Sequence, residues 1–212
     1  MQVRDVHSFS LREATEITRW FVPNLITPHA VIRVLNAANV RFVLLGAYAI
    51  GGWTREPRAT KDVDVLVAAR GQRKAVRALL EAFPHLQAED HEVVTRLRDP
   101  ETGVVVIDVM KPNQPLYRDA LKHTHAVESE GQMYSIPSLE MTLAMKFSAM
   151  ISLTRADDKK YYDAGDFIRV VKANPNIDLE TLHALGQLVY NGGGAEVVEM
   201  IRKVRAGEKL RL

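Results

Sequence analysis

The 212-residue chain contains no cysteine. That absence excludes a disulfide scaffold, a thiolate-bound zinc and a cysteine nucleophile, and it fits a reducing compartment. An excess of either charge is missing as well: 28 basic residues meet 26 acidic ones, for a formal net charge of +2. A protein that coats nucleic acid by charge alone is therefore disfavoured, whereas a local basic face is not. Aromatic residues are 7 % of the chain, and no stacking array for a nucleic acid strand is visible. No run approaches the ~20 apolar residues that cross a bilayer. Residues 1–19 mix charged and apolar side chains without a continuous apolar region. A soluble, cytoplasmic protein with no membrane partner is expected. Internal repeats and low-complexity segments are also missing.

What is present is the make-up of a globular protein. At about 150 residues per domain, the length suits one large domain or a domain with an appendage, and it suffices for a core without covalent staples. Ser10 and Glu13 resemble a capping box for a helix carrying Leu11, Ala14, Ile17 and Phe21, ended by Pro23. Thr27-Pro28 starts a second helix. Residues 41–45 read as a buried strand and 47–53 as a short helix ended or loosened by Gly51-Gly52. Asp62 to Ala68 reads as a strand, Gln72 to Phe83 as an amphipathic helix, and 92–97 with 104–110 as a hairpin. A further short strand is expected near 133–136. After Pro137 the pattern is helical only, starting from a Ser138 cap. The layout predicts an α/β (α+β) fold, with an α/β domain over 1–136 and a helical region over 137–212 packed on it.

Three features carry chemistry. First, the strand at 41–45 runs into Gly46 and a helix start. A glycine there permits a tight turn and close backbone approach, and the first helix amides suit a phosphate. By itself such a turn is mostly only a turn. Second, Asp62 and Asp64 flank Val63 in an otherwise Val- and Leu-rich strand, where positions i and i+2 share a face. Two adjacent carboxylates repel unless a cation neutralises them, and all-oxygen ligation favours Mg²⁺ or Mn²⁺. A solvated strand end is the alternative. Third, Asp108 stands alone in the most apolar strand. An unpaired buried carboxylate is costly. Either it joins Asp62 and Asp64 in a metal constellation, or it faces water or an arginine at the strand end.

Gly46-Ala-Tyr-Ala49, Pro57-Arg-Ala-Thr-Lys-Asp-Val-Asp64, Ile107-Asp108, Pro137-Ser138, Lys146, Asp163 and Asp166 occur in that order. This order resembles the DNA polymerase β-like nucleotidyltransferase superfamily, and within it the minimal nucleotidyltransferases grouped with AbiEii-type toxins. The resemblance covers roughly residues 40–172. It implies a mixed sheet flanked by helices, and a Mg²⁺-dependent (or Mn²⁺-dependent) nucleotidyltransferase that moves a nucleoside monophosphate from an NTP to an acceptor hydroxyl. The acceptor would be a tRNA, a protein or a small molecule. A toxin–antitoxin or phage-defence role, with an antitoxin partner, is implied in the same way. One departure stands out: Ala47 occupies the place of a second Gly or Ser, so a phosphate-binding hydroxyl is lost while the backbone N–H remains.

From the resemblance and from charge logic, Asp62, Asp64 and Asp108 are the catalytic residues and the metal ligands. Gly46, Ala47, Arg58, Thr60, Lys61 and Lys146 are the nucleotide-binding candidates. Ordinary loop solvation for Arg58 and Lys61, and a snorkelling role for Lys146, stand beside those roles. The alternative function is a catalytically weak nucleotide- or partner-binding module of the same fold, motivated by Ala47. A phosphodiesterase using the same acids is a third reading. Residues 55–77 carry seven basic residues against three acids, either toward a polyanion or as an outer helix face. His123 and His125 read as solvated loop residues, Tyr161 and Tyr162 as packing residues, Trp53 as core, and Asp163 and Asp166 as partners of basic side chains.

Overall fold

The computed structural model describes residues 3–22 and 25–210. The expected helix stop at Pro23 lies outside them. Among the described residues, no helix is long and apolar enough to cross a membrane. The chain divides into two compact units, Met1–Pro137 and Ser138–Leu212.

The first unit is built on a five-stranded mixed sheet. Its strands are β1 (Phe42–Leu44), β2 (Val63–Val67), β3 (Gln87–Asp90), β4 (Val94–Arg98) and β5 (Val105–Met110), in the order β1-β2-β5-β4-β3. β2 and β5 are parallel at the centre and the other pairings are antiparallel. Val63, Val65, Leu97, Ile107 and Val109 are buried at no more than 1 % exposure. They share one face of the central strands, and at roughly 1.5–3 kcal/mol per buried side chain this face dominates the sheet's stability. β4 and β5 form the expected hairpin. β3 was not anticipated: its side chains are mostly exposed at the sheet edge, so it shows no apolar alternation.

Five helices accompany the sheet: α1 (Val3–Arg19), α2 (Pro28–Ala37), α3 (Gly46–Thr54), α4 (Gln72–Ala82) and α5 (Pro115–Ala120). Thr27 caps α2 by accepting from the Ala30 amide, with Pro28 at the first helical position, as expected. Ser10 is not a cap. α1 begins at Val3, and Ser10 sits in its buried interior face. Gly51 and Gly52 do not end α3 either. They lie within it, where α1 crosses: an added Cβ would fall 2.8 Å from Ser10 Cβ at Gly51 and 3.0 Å from His7 Cβ at Gly52. Their role is close helix packing, which a sequence pattern cannot distinguish from helix breaking. The Gln72 side chain donates to the carbonyls of Val67 and Met110 at 2.8 Å each, tying α4 to the ends of β2 and β5.

A separate hairpin, β6 (Thr124–Ser129) with β7 (Gln132–Pro137), completes the unit. His125 is therefore a strand residue rather than a loop residue, and its ring meets Trp53 edge-on at 5.8 Å. Trp53 is core, as expected, donating to the Pro137 carbonyl at 3.1 Å. α1 joins this hairpin through one buried and one half-buried polar contact. His7 Nε2 lies 3.0 Å from the Tyr134 hydroxyl, and Ser8 Oγ lies 2.9 Å from Ser129 Oγ.

Burial, reinforced by nearby His29 and His125, holds the His7 imidazole down at about 4. The unfolded chain, with histidine near 6.5, takes up this proton first as the pH falls. The stability this neutral histidine contributes is complete above pH 6.5 and is lost as the pH drops toward 4, by about 3 kcal/mol at the acid end. Urea midpoints across that range are expected to fall in the wild type and to fall less steeply in His7→Gln. Equal slopes would exclude His7 as the source.

The second unit is helical: α6 (Leu139–Ile151), α7 (Asp157–Ala173), α8 (Leu179–Gln187) and α9 (Gly193–Ala206). Ser138 caps α6 by accepting from Met141 N, and Asp178 caps α8 by accepting from Glu180 N and Thr181 N. Phe147, Phe167, Val170, Leu182, Val197 and Ile201 are fully buried. Tyr161 and Tyr162 are 67 % and 63 % exposed, so they do not pack as expected. The inward face of α7 is taken by Asp163, Ala164, Asp166 and Phe167.

Candidate active site

The site starts from the parallel pairing of β2 and β5. Their register sets Asp64 directly beside Asp108. Both side chains lie on the face opposite the buried Val63, Val65, Ile107 and Val109, because strand side chains alternate. Asp62 immediately precedes β2, two residues before Asp64, and reaches the same place. One carboxylate oxygen from each of Asp62, Asp64 and Asp108 lies within 4.8 Å of the other two.

Gly46 closes one side. Its φ of +63° is left-handed, and an added Cβ would collide with Asp64 Oδ2 and lie 2.9 Å from Asp64 Cγ. Both facts require glycine here. The Leu45 amide donates to the Asp64 carbonyl at 2.8 Å, holding the start of α3 against β2. Leu45, at the N-cap of α3, makes no side-chain capping bond, and the first amides of a helix suit an anion. Ala47 is buried in that first turn.

Arg96 on β4 stands opposite Asp108 across the ladder, with Nε 3.8 Å from Asp108 Oδ1. That is beyond hydrogen-bond reach, and the buried Oδ1 accepts no hydrogen bond. Burial pushes the Asp108 carboxyl above its ordinary range. Arg96 pulls it back, and the Asp62 charge pushes it up again. A buried carboxylate oxygen without a donor, beside two further carboxylates, is stabilised by a cation. The all-oxygen donor set fits Mg²⁺ or Mn²⁺.

The other predicted residues divide between the units. Thr60 donates its hydroxyl to Asp62 Oδ1. Arg58 is half-buried with polar contacts of its own, and Lys61 is exposed, one residue before Asp62. Lys146 belongs to the second unit. Its Nζ lies 2.8 Å from Asp163 Oδ1 and 2.7 Å from Asp166 Oδ2. Arg155 also pairs with Asp163, and Arg169 with Asp166, so both acids have the basic partners expected of them.

Three residues near the site were not foreseen. Arg96 was hidden because only the β4–β5 register places it over Asp108. Thr18 accepts from the Thr60 amide, and the Tyr48 hydroxyl donates to the Thr60 carbonyl. Tyr48 lies in the Gly46-Ala-Tyr-Ala49 stretch, whose residue types alone suggest no role for it. Burial first, and then the Asp62 charge, push its phenol up against the effect of the Thr18 hydroxyl, so it stays a donor at neutral pH.

No protein-family model and no curated protein matches the chain. Among solved structures it is similar to an antigenic nucleotidyltransferase-like protein from Paracoccidioides brasiliensis. The TM-score is 0.51 at 20 % identity, over 96 % of this chain and 95 % of that one. More distantly it resembles the antibiotic-resistance factor ANT(2'')-Ia, with a TM-score of 0.48 and 14 % identity over 84 % of this chain and 89 % of that one. The lincosamide antibiotic adenylyltransferase LnuA gives 0.45 and 16 %, over 66 % and 92 %. The mixed five-stranded sheet flanked by helices, with its helical second unit, is the α+β fold of nucleotidyltransferase-like proteins.

Proposed function

We propose that this chain is a divalent-cation-dependent nucleotidyltransferase. It would transfer a nucleoside monophosphate from an NTP to an acceptor hydroxyl and release pyrophosphate. The observation that carries this reading is the convergence of Asp62, Asp64 and Asp108 on one face of β2 and β5, in a fold of the nucleotidyltransferase type. Asp62 and Asp64 would hold the cation on the triphosphate, and Asp108 would complete a second cation site. Bound Mg²⁺ or Mn²⁺ would offset charge on the attacking and leaving oxygens.

The remaining work falls to the chain's own groups. The acceptor oxygen forms a bond to the α-phosphorus while the bond to the bridging oxygen of pyrophosphate breaks. Asp108, next to the attacking oxygen, would take the acceptor proton. The first amides of α3, at Gly46 and Ala47, meet phosphate oxygens. Arg58 and Lys61 add positive charge from the loop before β2. Lys146 would serve as a phosphate ligand only by sharing an ammonium that two carboxylates already hold. The AbiEii-type grouping, a toxin–antitoxin or phage-defence role and an antitoxin partner rest on the motif resemblance alone.

The test uses NTPs labelled at the α-phosphate with Mg²⁺ and three acceptor classes: total tRNA, protein and small hydroxylated compounds. Label in an acceptor with matching pyrophosphate supports the proposal. Nucleotide binding without turnover supports the weak binding module that Ala47 motivates. Diester cleavage without any NTP supports a phosphodiesterase.

A further inference from the structure

The loop that delivers Asp62 has no regular secondary structure at residues 57–60, yet Thr60 within it is held at three points. Its backbone N–H donates to Thr18 Oγ1 at 3.3 Å. Its carbonyl accepts from the Tyr48 hydroxyl at 3.2 Å. Its own hydroxyl donates to Asp62 Oδ1. Thr18 lies on α1 and Tyr48 on α3, and each is only 2 % exposed. The direction of the first bond is set by chemistry. A threonine hydroxyl has one proton, and Thr18 gives its proton to the Ala14 carbonyl at 2.7 Å. Its lone pairs are then what it offers to Thr60.

We infer that Thr18 and Tyr48 are positioning residues of the cation site, acting through Thr60 on Asp62. This rests on the cation-binding reading above. The two buried hydroxyls fix both backbone polar groups of Thr60. Its side chain is thereby aimed at one oxygen of Asp62, and the carboxylate is oriented before a cation arrives. A preordered ligand loses less conformational freedom on binding, which raises affinity without any new contact to the ion. α1 precedes the stretch that carries the family motifs, so its link to the site is a property of this chain's tertiary structure.

The test measures Mn²⁺ affinity from the free-ion paramagnetic resonance signal, with circular dichroism and urea midpoints confirming the fold. Thr18→Val keeps the shape and removes the hydroxyl, and Tyr48→Phe keeps the ring. Each is expected to bind Mn²⁺ about 10–100-fold more weakly, the range for loss of a group that orients a metal ligand. In transfer assays the Mn²⁺ concentration for half-maximal rate should rise, with kcat at saturation changing less than about threefold. Thr18→Ser should restore the affinity. Wild-type affinity in folded Thr18→Val and Tyr48→Phe, with binding lost in Asp62→Ala, would overturn the positioning role and leave the cation site standing. Equal weakening in Thr18→Ser and Thr18→Val would overturn it too, since the hydroxyl would then be irrelevant. Absence of any Asp62-dependent Mn²⁺ binding in the wild type would overturn both readings.

Discussion

Asp108→Asn is expected to lower nucleotidyl transfer by roughly 10³-fold, the upper end of what removing one preorganised electrostatic group from a reacting centre costs. The same substitution is expected not to lower stability in metal-free buffer. The carboxyl of Asp108 is pushed up by burial and by Asp62, so its ionised form is a cost that Arg96 only partly offsets. A neutral amide of equal size removes the repulsion with Asp62. Added Mn²⁺ should raise the unfolding temperature of the wild type, because a ligand that binds only the folded state stabilises it by mass action. The variant should gain little. Calorimetry with and without Mn²⁺, beside the transfer assay, reads both halves. Near-full transfer by folded Asp108→Asn would remove Asp108 from the chemistry. A large stability loss would show that its charge holds the sheet together.

Lys146→Met should destabilise the helical unit by about 3 kcal/mol, at the lower end of what removing one partner from a buried ion pair costs. The lysine side chain is 14 % exposed and bridges two acids whose side chains are 5 % and 0 % exposed. Without it, each carboxylate keeps one arginine: Arg155 for Asp163 and Arg169 for Asp166. Both arginines are partly solvent-exposed. Hydrogen exchange of α6 and α7 amides should accelerate, and the urea midpoint of this unit should fall. Lys146→Met combined with Asp163→Asn and Asp166→Asn should recover part of the loss, because the uncompensated charge is then gone. A neutral single variant would mean that the arginines alone suffice. Separately, a raised KM for NTP at a temperature where the variant is folded would support the phosphate-ligand role.

Much of the fold was readable because local signals and tertiary packing agree. The strand at β5 is a run of Val and Ile that suits a pleated, buried surface. Thr27 and Ser138 carry cap chemistry that works within one turn of chain. Signals failed where the local reading was sound but a distant partner prevailed. Ser10 and Glu13 have the spacing of a capping box, yet α1 continues upstream through Val3. Gly51-Gly52 looks like a helix end, yet the pair is where α1 presses against α3. β3 and β6 were missed because strands held by edge pairing need no apolar alternation of their own.

Which residue types could do chemistry was legible in the order of amino acids. With no cysteine, any site for a divalent cation had to be built from oxygen and nitrogen ligands, and Asp62 and Asp64 were bound to lie near one another because residues i and i+2 of an extended chain share a face. Gly46 ahead of a helix was equally local. Long-range packing makes β2 and β5 parallel neighbours in a register that puts Asp64 beside Asp108, sets Arg96 across from it, and brings Thr18 on α1 and Tyr48 on α3 together at Thr60. The difference is one of range. Caps, turns and strand periodicity act within a few residues, whereas the pairing register of two strands more than forty residues apart is set by which faces bury their Val, Leu and Ile side chains together.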